Sequence, residues 1–145
     1  MPRAQCIVHR GAKILMVKHR EDNQEYWCLP GGAVEPGETP EHAALRELEE
    51  ECGVQGKPIR QLSYHEYGDG ESTVTFLIDI GTQNPRKGND PELGRDQQIL
   101  TEVAWLSLKE IPERDRAFLW AGGLLGMPQF FSEIEKWGDD KSYPE

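Results

Sequence analysis

Long apolar runs are the first thing that this sequence lacks. Among its 145 residues, no apolar stretch approaches the roughly 20 residues that a membrane-spanning helix needs. The first residues, Met1 to Cys6, also lack the apolar segment of a secretion signal. These absences predict a soluble, cytoplasmic protein without a membrane partner.

Cysteine is scarce as well. The three cysteines are Cys6, Cys28 and Cys52, which are odd in number, far apart in sequence and not spaced like zinc ligands. Neither a disulfide framework nor a zinc centre is therefore expected. A thiol nucleophile beside a histidine is the alternative, but each cysteine has apolar neighbours, which favours small buried thiols.

Positive charge is the third shortage. Lys and Arg together number 16 against 26 Asp and Glu, which gives a formal net charge of −10. Long nucleic acids are not expected as partners, because proteins that bind them neutralise phosphates with Lys and Arg. A phosphorylated small molecule stays compatible with this charge if a cation lies between the acidic protein and the anionic ligand.

The residues that are present predict one mixed α/β domain. Hydrophobic residues make up 37% of the chain, so we expect a single domain over residues 1–138 and a polar, frayed tail at 139–145. Strands are predicted at Arg3–His9, Ala12–His19, Ile59–Tyr67, Thr73–Ile80 and Leu100–Leu106, with a short apolar segment at Tyr26–Leu29. Helical patterns fall at Pro40–Cys52 and Pro128–Trp137, a helical turn at Leu108–Pro112, and loops at 31–40 and 81–96. This order predicts a mixed sheet with helices packed on its faces.

The helix predicted from Pro40 to Cys52 gathers negative charge on one side. Thr39 is a good N-cap, Pro40 suits the first helical position, and Gly53 suits a left-handed C-terminal cap. Helical spacing places Glu47, Glu50 and Glu51 on one arc, whereas Glu49 points to the opposite side. The neighbouring apolar face consists of Ala44, Leu45, Leu48 and Cys52.

This clustering of carboxylates is unfavourable by itself. Each like-charged pair costs about 0.2–0.5 kcal/mol, and the helix dipole disfavours acids in the last turns by about 0.3–1 kcal/mol per group. Arg46 relieves part of this through Glu50, four residues on. One interpretation is a solvated helix face, which charge runs usually form. The other is a site for Mg²⁺, which a few carboxylates hold together with water and substrate phosphates.

A longer pattern surrounds the acidic helix. From Gly32 the sequence runs Gly32-x5-Glu38-x7-Arg46-Glu47-Leu48-x-Glu50-Glu51-x-Gly53-Val54. It resembles the signature of the Nudix family, G-x5-E-x7-R-E-U-x-E-E-x-G-U with U a bulky apolar residue, at every defined position. The residues from Trp27 to Gly32 and from Glu35 to Thr39 are also similar to that family. A merely solvated helix does not explain Gly32, Glu38 and Arg46 at these spacings.

The resemblance implies a fold, a reaction and a set of site residues. The fold is an α/β/α sandwich with a mixed β-sheet. The reaction is the hydrolysis of a diphosphate bond in a nucleoside diphosphate linked to another group, with Mg²⁺ as cofactor and Mn²⁺ as a substitute. Glu47, Glu50 and Glu51 are implied as metal ligands, with the carbonyl of Gly32 as a further one. Glu38 and Arg46 are implied to orient this group, and a homodimer is a weaker expectation from the family.

The general base has several candidates, because members of the family differ in this residue. Glu50 is the first candidate, and the downstream acids Glu92, Asp96 and Glu102 are the alternatives. His19 and Arg20 could approach substrate phosphates. Aromatic side chains could stack on a base, although packing in the core is the commoner use of such residues. The aromatic candidates are Trp27, Trp105, Trp120, Phe130, Phe131 and Trp137, and the basic ones in the second loop are Arg86, Lys87 and Arg95.

The motif indicates the reaction and leaves the substrate open. The residues from Tyr26 to Gly32 resemble those of broad-specificity members that act on nucleotide sugars, ADP-ribose or nucleoside triphosphates, so these are the expected classes. Gly68 stands where many ADP-ribose-type members have a proline, and Tyr64 and Tyr67 come too early for the tyrosine of diadenosine-polyphosphate members, so neither of these marks is present. A non-catalytic nucleotide-binding or regulatory module of the same fold is the competing hypothesis, and the complete set of acids argues against it.

Overall fold

The computed structural model of the chain describes residues 1–88 and 99–137. Its strands are β1 (Pro2–Ile7), β2 (His9–Arg10), β3 (Lys13–Glu21), β4 (Gln24–Cys28), β5 (Gly31–Ala33), β6 (Lys57–Glu66), β7 (Ser72–Asp79) and β8 (Leu100–Ser107). Its helices are α1 (Pro40–Cys52), α2 (Glu113–Ala121) and α3 (Pro128–Glu135). Short 3₁₀ turns lie at Gly68–Gly70, Leu108–Glu110 and Leu124–Gly126.

The strands form two sheets of four strands each. The first has the order β5-β1-β7-β6 and is mixed, because β1 and β7 run parallel while the other neighbours run antiparallel. The second is antiparallel and is centred on β3, which pairs with β2, β4 and β8. Strand β5 follows directly on β4, separated by Leu29 and Pro30, so the chain passes from one sheet to the other just before the acidic helix.

Alternation along the central strands sends successive side chains into two separate cores. In β3, Leu15 and Val17 face α1, whereas Ile14 and Met16 face the side of α2 and α3. In β1, Cys6 belongs to the α1 core, and its thiol lies 3.2 Å from the carbonyl oxygen of Ala44 in that helix. Helices therefore cover both sides of the strands, as expected for an α/β/α arrangement.

The predicted elements agree with this architecture, with four corrections. The fold class is confirmed, and α1 has the predicted bounds. The stretch 31–40 is not a loop throughout, because Gly31–Ala33 pairs with β1 through backbone hydrogen bonds that need no particular side chain. Helix α2 was not predicted, because the charged run Glu113–Arg116 hides its apolar face. The helical turn expected at Leu108–Pro112 is shorter, Leu108–Glu110, and α3 ends at Glu135 rather than at Trp137.

Some sequence predictions concern residues outside the described part of the chain. These are Glu92, Arg95 and Asp96, the second half of the second loop, and the tail at 139–145. Within that loop, residues 81–88 contain no helix or strand. None of the described helices is long and apolar enough to cross a membrane.

Candidate active site

One cavity of about 340 Å³ brings together the acids of α1 and the glycines that precede the helix. Glu47, Glu50 and Glu51 line it together with Gly31 and Gly32 of β5. The remaining lining residues come from distant parts of the chain: Arg3, His19, Glu21, Tyr26, Gly88, Ile99 and Leu100. Of these, only His19 was singled out from the sequence, because single residues on separate strands carry no local pattern.

Both ends of α1 are fixed by capping contacts. The side chain of Thr39 accepts a hydrogen bond from the first turn, and Gly53 ends the helix in the left-handed conformation with φ 67°. The N–H groups of Arg86 and Gly88 donate to the carbonyls of the last two helical residues, each at 2.8 Å. The last turn, which carries two of the three acids, is thereby held in place from outside the helix.

Arg46 makes most of the polar side-chain contacts described around the cavity. Its guanidinium donates to both carboxylate oxygens of Glu38, at 2.8 and 3.0 Å, and to the carbonyl oxygen of Ala33 at 3.1 Å. The same group donates to Glu47 at 3.0 Å and lies 3.4 Å from both carboxylate oxygens of Glu50. The fork of the guanidinium suits such a bidentate contact. Arg46 thus connects the loop, strand β5 and two acids of the helix.

The pairing of Glu38 with Arg46 predicts a loss of stability in acid. The Glu38 carboxylate is only 8% exposed, and its hydrogen bonds from Arg46 lower its pKa from 4.5 to about 2. Because the pKa is lower in the folded state, the stabilisation is present above the unfolded pKa and is lost as the pH falls from about 4.5 to about 2. Urea unfolding of the unaltered chain and of Glu38→Gln should show a stability difference that narrows across this pH window. A difference independent of pH would contradict the assignment.

Glu51 is held by a different set of contacts. One of its oxygens accepts the backbone N–H of Gly31 at 2.8 Å, and the other lies 3.2 Å from Nε2 of His19. His19 continues the β3 face of Leu15 and Val17 towards α1, at the point where the apolar core ends. The carboxylate is 14% exposed. The contacts tie the helix to β3 and β5 at the cavity wall.

Glu47 lies in the least favourable place for a charge. Burial raises its pKa from 4.5 to about 7, and the neighbouring charge of Glu51 adds to this, while Arg46 opposes it. The Cα of Gly32 is so close that a Cβ there would overlap the Glu47 carboxylate. A cation brought to this carboxylate would favour its ionised form.

The donors around the cavity suit a hard divalent cation, although the acids do not converge on one point. Among residues 1–88 and 99–137, no three His, Cys, Asp or Glu side chains are gathered closely enough to hold an ion. Glu47 and Glu50 turn to Arg46, and Glu51 turns to Gly31 and His19. The three carboxylates nevertheless line one cavity, and carboxylate oxygens are the ligands that Mg²⁺ prefers. Ion binding would require them to exchange part of these contacts for the metal.

The remaining candidates from the sequence are scattered. Glu102 is exposed on β8, opposite Lys18, and does not line the cavity. Arg20 is exposed, and Arg86 lies against Gly53 at the end of α1. None of the six aromatic candidates lines the cavity: Phe130, for example, is fully buried, and Phe131 is exposed. Tyr26, which the sequence did not single out as a contact, does line it.

The cysteines behave as buried thiols rather than as nucleophiles. Cys6 and Cys52 are fully buried, and Cys28 is partly buried. Cys28 does lie beside a histidine, with its sulfur 3.8 Å from Nδ1 of His19. Burial, however, raises the pKa of Cys28 and of Cys52 to about 12, so neither is a thiolate near neutral pH.

Comparison with known proteins gives this site a family. The family model described as the NUDIX domain matches residues 1–124. The chain belongs to the NUDIX family. A curated relative, phosphatase NudJ of Escherichia coli, is 28% identical over 110 residues, which cover 73% of this chain and 67% of the relative.

Solved structures of NUDIX proteins share the fold. A NUDIX hydrolase from Nitrosomonas europaea superposes with a TM-score of 0.63 at 21% identity and covers 99% of this chain and 91% of its own. The NUDIX domain of Shewanella oneidensis NrtR, complexed with ADP ribose, superposes with a TM-score of 0.65 at 19% identity, and the match covers 87% of this chain and 86% of the NrtR domain. The family membership identifies the chain as a NUDIX hydrolase, a class that acts on diphosphate bonds and uses divalent metal ions.

Proposed function

We propose that this chain hydrolyses the diphosphate bond of a nucleoside diphosphate linked to another group, with Mg²⁺ as its cofactor. The proposal rests on one observation: a single cavity is lined by Glu47, Glu50 and Glu51 together with Gly31 and Gly32. A cavity lined by acids in a chain of net charge −10 repels a diphosphate unless a cation lies between them. Bound Mg²⁺ would shield the phosphate charge, lower the pKa of a bound water and stabilise the leaving oxygen.

The contacts of each acid suggest which residues bind the metal, which accepts a proton and which hold the others in position. Glu47, Glu50 and Glu51 would hold the metal, with the carbonyl of Gly32 as a further ligand. Glu50 is the most exposed of the three at 35%, and its contacts to Arg46 are the longest. It is therefore best placed to accept a proton from the attacking water. Arg46 would keep the other acids in position, and Glu38 would hold Arg46.

Nucleotide sugars, ADP-ribose and nucleoside triphosphates are the substrates that we expect. The ADP ribose bound to the related NrtR domain supports this class. The experiment is an incubation of the chain with Mg²⁺ and a panel of these compounds, dinucleoside polyphosphates and dinucleotide cofactors, with products separated by chromatography. Turnover that requires metal would support the proposal. Metal binding without any turnover would favour a nucleotide-binding or regulatory module instead.

Metal binding itself should be visible as a gain in thermal stability. A ligand that binds only the native state at ten times its Kd stabilises by about 1.4 kcal/mol, which corresponds to about 3–5 °C in a domain of this size. Millimolar Mg²⁺ or Mn²⁺ should therefore raise the Tm of the unaltered chain. Glu47→Gln should reduce the rise, whereas Glu49→Gln, an exposed neighbour outside the cavity, should keep it. Equal shifts in the two variants would contradict the assignment of the metal site.

A further inference from the structure

A second cavity, of about 250 Å³, lies on the other face of the mixed sheet. On this face the first halves of β1 and β7 are polar, with Arg3 opposite Thr73 and Gln5 opposite Thr75, and the strands then enter the apolar core at Ile7 and Leu77. Helix α2 borders this polar end with Phe118 and Ala121. We call it the α2-side groove, and its walls are formed by Arg3, Gln5, His65, Tyr67, Thr73 and Phe118.

A continuous path connects this groove with the acids of α1. We call the cavity lined by Glu47, Glu50 and Glu51 the catalytic cavity. A small cavity of about 130 Å³ shares His19, Tyr26, Gly31 and Gly32 with it. The same small cavity shares Arg3 and Gln5 with the α2-side groove. A larger and more apolar cavity on the α1 face, lined in part by Leu45, Tyr64 and Phe76, meets the catalytic cavity at Arg3 alone. The path therefore favours the α2-side groove as the extension of the site.

Arg3 stands at the junction of all these cavities. Within the described chain its guanidinium has no ion pair or hydrogen bond, and its side chain is exposed. A guanidinium is well suited to bind phosphate through two parallel hydrogen bonds. In a bound diphosphate, Arg3 would contact the phosphate that lies farther from the acids of α1.

The walls of the groove suit a flat ring with polar edges. Phe118 is 64% exposed, although it is aromatic, and Tyr67 stacks on His65 with 5.9 Å between ring centroids. Aromatic side chains that stay open to solvent beside a cavity are available for stacking. Hydroxyl and amide groups surround them: the amide of Gln5 donates to Thr75 at 2.9 Å, and Thr73 lines the same wall.

We propose that the α2-side groove binds the heteroaromatic ring of the substrate, and that Arg3 binds the phosphate nearest to that ring. The diphosphate bond to be cut then lies in the cavity of Glu47, Glu50 and Glu51. This inference rests on the proposed hydrolysis of a nucleotide, and it assigns a direction to the substrate: the ring points towards α2, and the second group lies at the open side of the catalytic cavity.

The test compares ligands with and without a ring on the full chain. NMR titrations would measure Kd for AMP, GMP, CMP and UMP, and for ribose 5-phosphate, in the absence of metal. Phe118→Ala should weaken binding of the preferred nucleoside monophosphate about tenfold relative to ribose 5-phosphate, because the variant loses the stacking of the base on the aromatic ring. Phe131→Ala is the matched control, because Phe131 is also exposed, at 48%, but lies outside the groove. Arg3→Gln should weaken every phosphate-bearing ligand.

Three outcomes would overturn the inference. Nucleoside monophosphates could fail to bind the unaltered chain, Phe118→Ala could bind them as tightly as Phe131→Ala does, or Tyr64→Ala could lose them instead. The last result would place the ring in the cavity on the α1 face. The proposed hydrolysis is judged separately. If the unaltered chain with Mg²⁺ turns over no compound of the panel, the proposed hydrolysis is wrong. If it does turn over a substrate and Phe118→Ala leaves the KM unchanged, only the assignment of the ring to the groove is wrong.

Discussion

Replacing Glu50 by glutamine should lower kcat by about 10²–10⁴, the usual contribution of a general acid or base, while the fold stays intact. Glutamine keeps the size of the side chain and removes the charge, the proton acceptor and one of the carboxylates that would hold the metal. Glu50 lies at the edge of the Arg46 contacts, with both oxygens 3.4 Å away, so little stability depends on it. The measurement is metal-dependent turnover of the preferred substrate, together with the Tm of both proteins.

Glu49→Gln is the matched control for this experiment. It makes the same chemical change one residue away, but Glu49 is exposed and does not line the cavity. Its turnover should equal that of the unaltered chain. If Glu50→Gln retains activity within tenfold and Glu102→Gln or a change at Glu92 or Asp96 abolishes it, the base lies downstream of the helix. If the only turnover observed does not require metal and is the same in every variant, it does not come from this site, and the binding-module hypothesis gains support.

A methyl group at Gly32 should inactivate the site without unfolding the protein. The Cβ of Gly32→Ala would overlap the carboxylate of Glu47, and this carboxylate is the end of a flexible side chain that can move aside. A displacement of about 1 Å in a positioned group can cost on the order of 10²-fold in rate. We expect a loss of that size in kcat/KM, a weaker response to Mg²⁺, and a Tm close to that of the unaltered chain.

The neighbouring glycine should give the opposite result. A Cβ at Gly31 would overlap the carbonyl of Ala4 and the backbone of Gln5 in the adjacent strand, and these atoms cannot turn away. Gly31→Ala should therefore lower stability by about 1–3 kcal/mol or more, as overpacked interiors do. Gly68→Ala, where the Cβ would enter open space, controls for the loss of backbone freedom. Equal melting temperatures of Gly31→Ala and Gly32→Ala would contradict this distinction.

The features that the sequence predicted are those that depend on neighbours along the chain. Helix α1 was predicted with its bounds because Thr39, Pro40 and Gly53 act within one turn of its ends. The strands β1, β3, β6, β7 and β8 were predicted from runs of apolar and β-branched residues, with ends displaced by only a few residues, whereas β5 was predicted to be part of a loop. The grouping of Glu47, Glu50 and Glu51 also follows from helical spacing, and the structure places all three in one cavity.

The features that the sequence did not predict depend on contacts between distant residues. Arg3 and Tyr26 reach the cavity because β1 and β4 belong to different sheets that meet there. Helix α2 has a weak pattern because Asp115 and Arg116 are buried, against the usual preference of charged residues. Asp115 accepts the backbone N–H of Trp27 at 2.9 Å, a contact across 88 residues that no local pattern encodes.

The parallel pairing of β1 with β7 has a consequence for the order in which the protein can fold. Pro2 lies beside Ser72, and the register continues to Ile7 beside Leu77, so every contact joins residues 70 apart. Strand β1 therefore lies between β5, which follows it closely in sequence, and β7, which follows much later. Such long-range pairing folds slowly, because a large loop must close before any contact forms. Until β7 is made, the edge of β1 that faces β7 stays unpaired, and an open strand edge of this kind favours aggregation during synthesis.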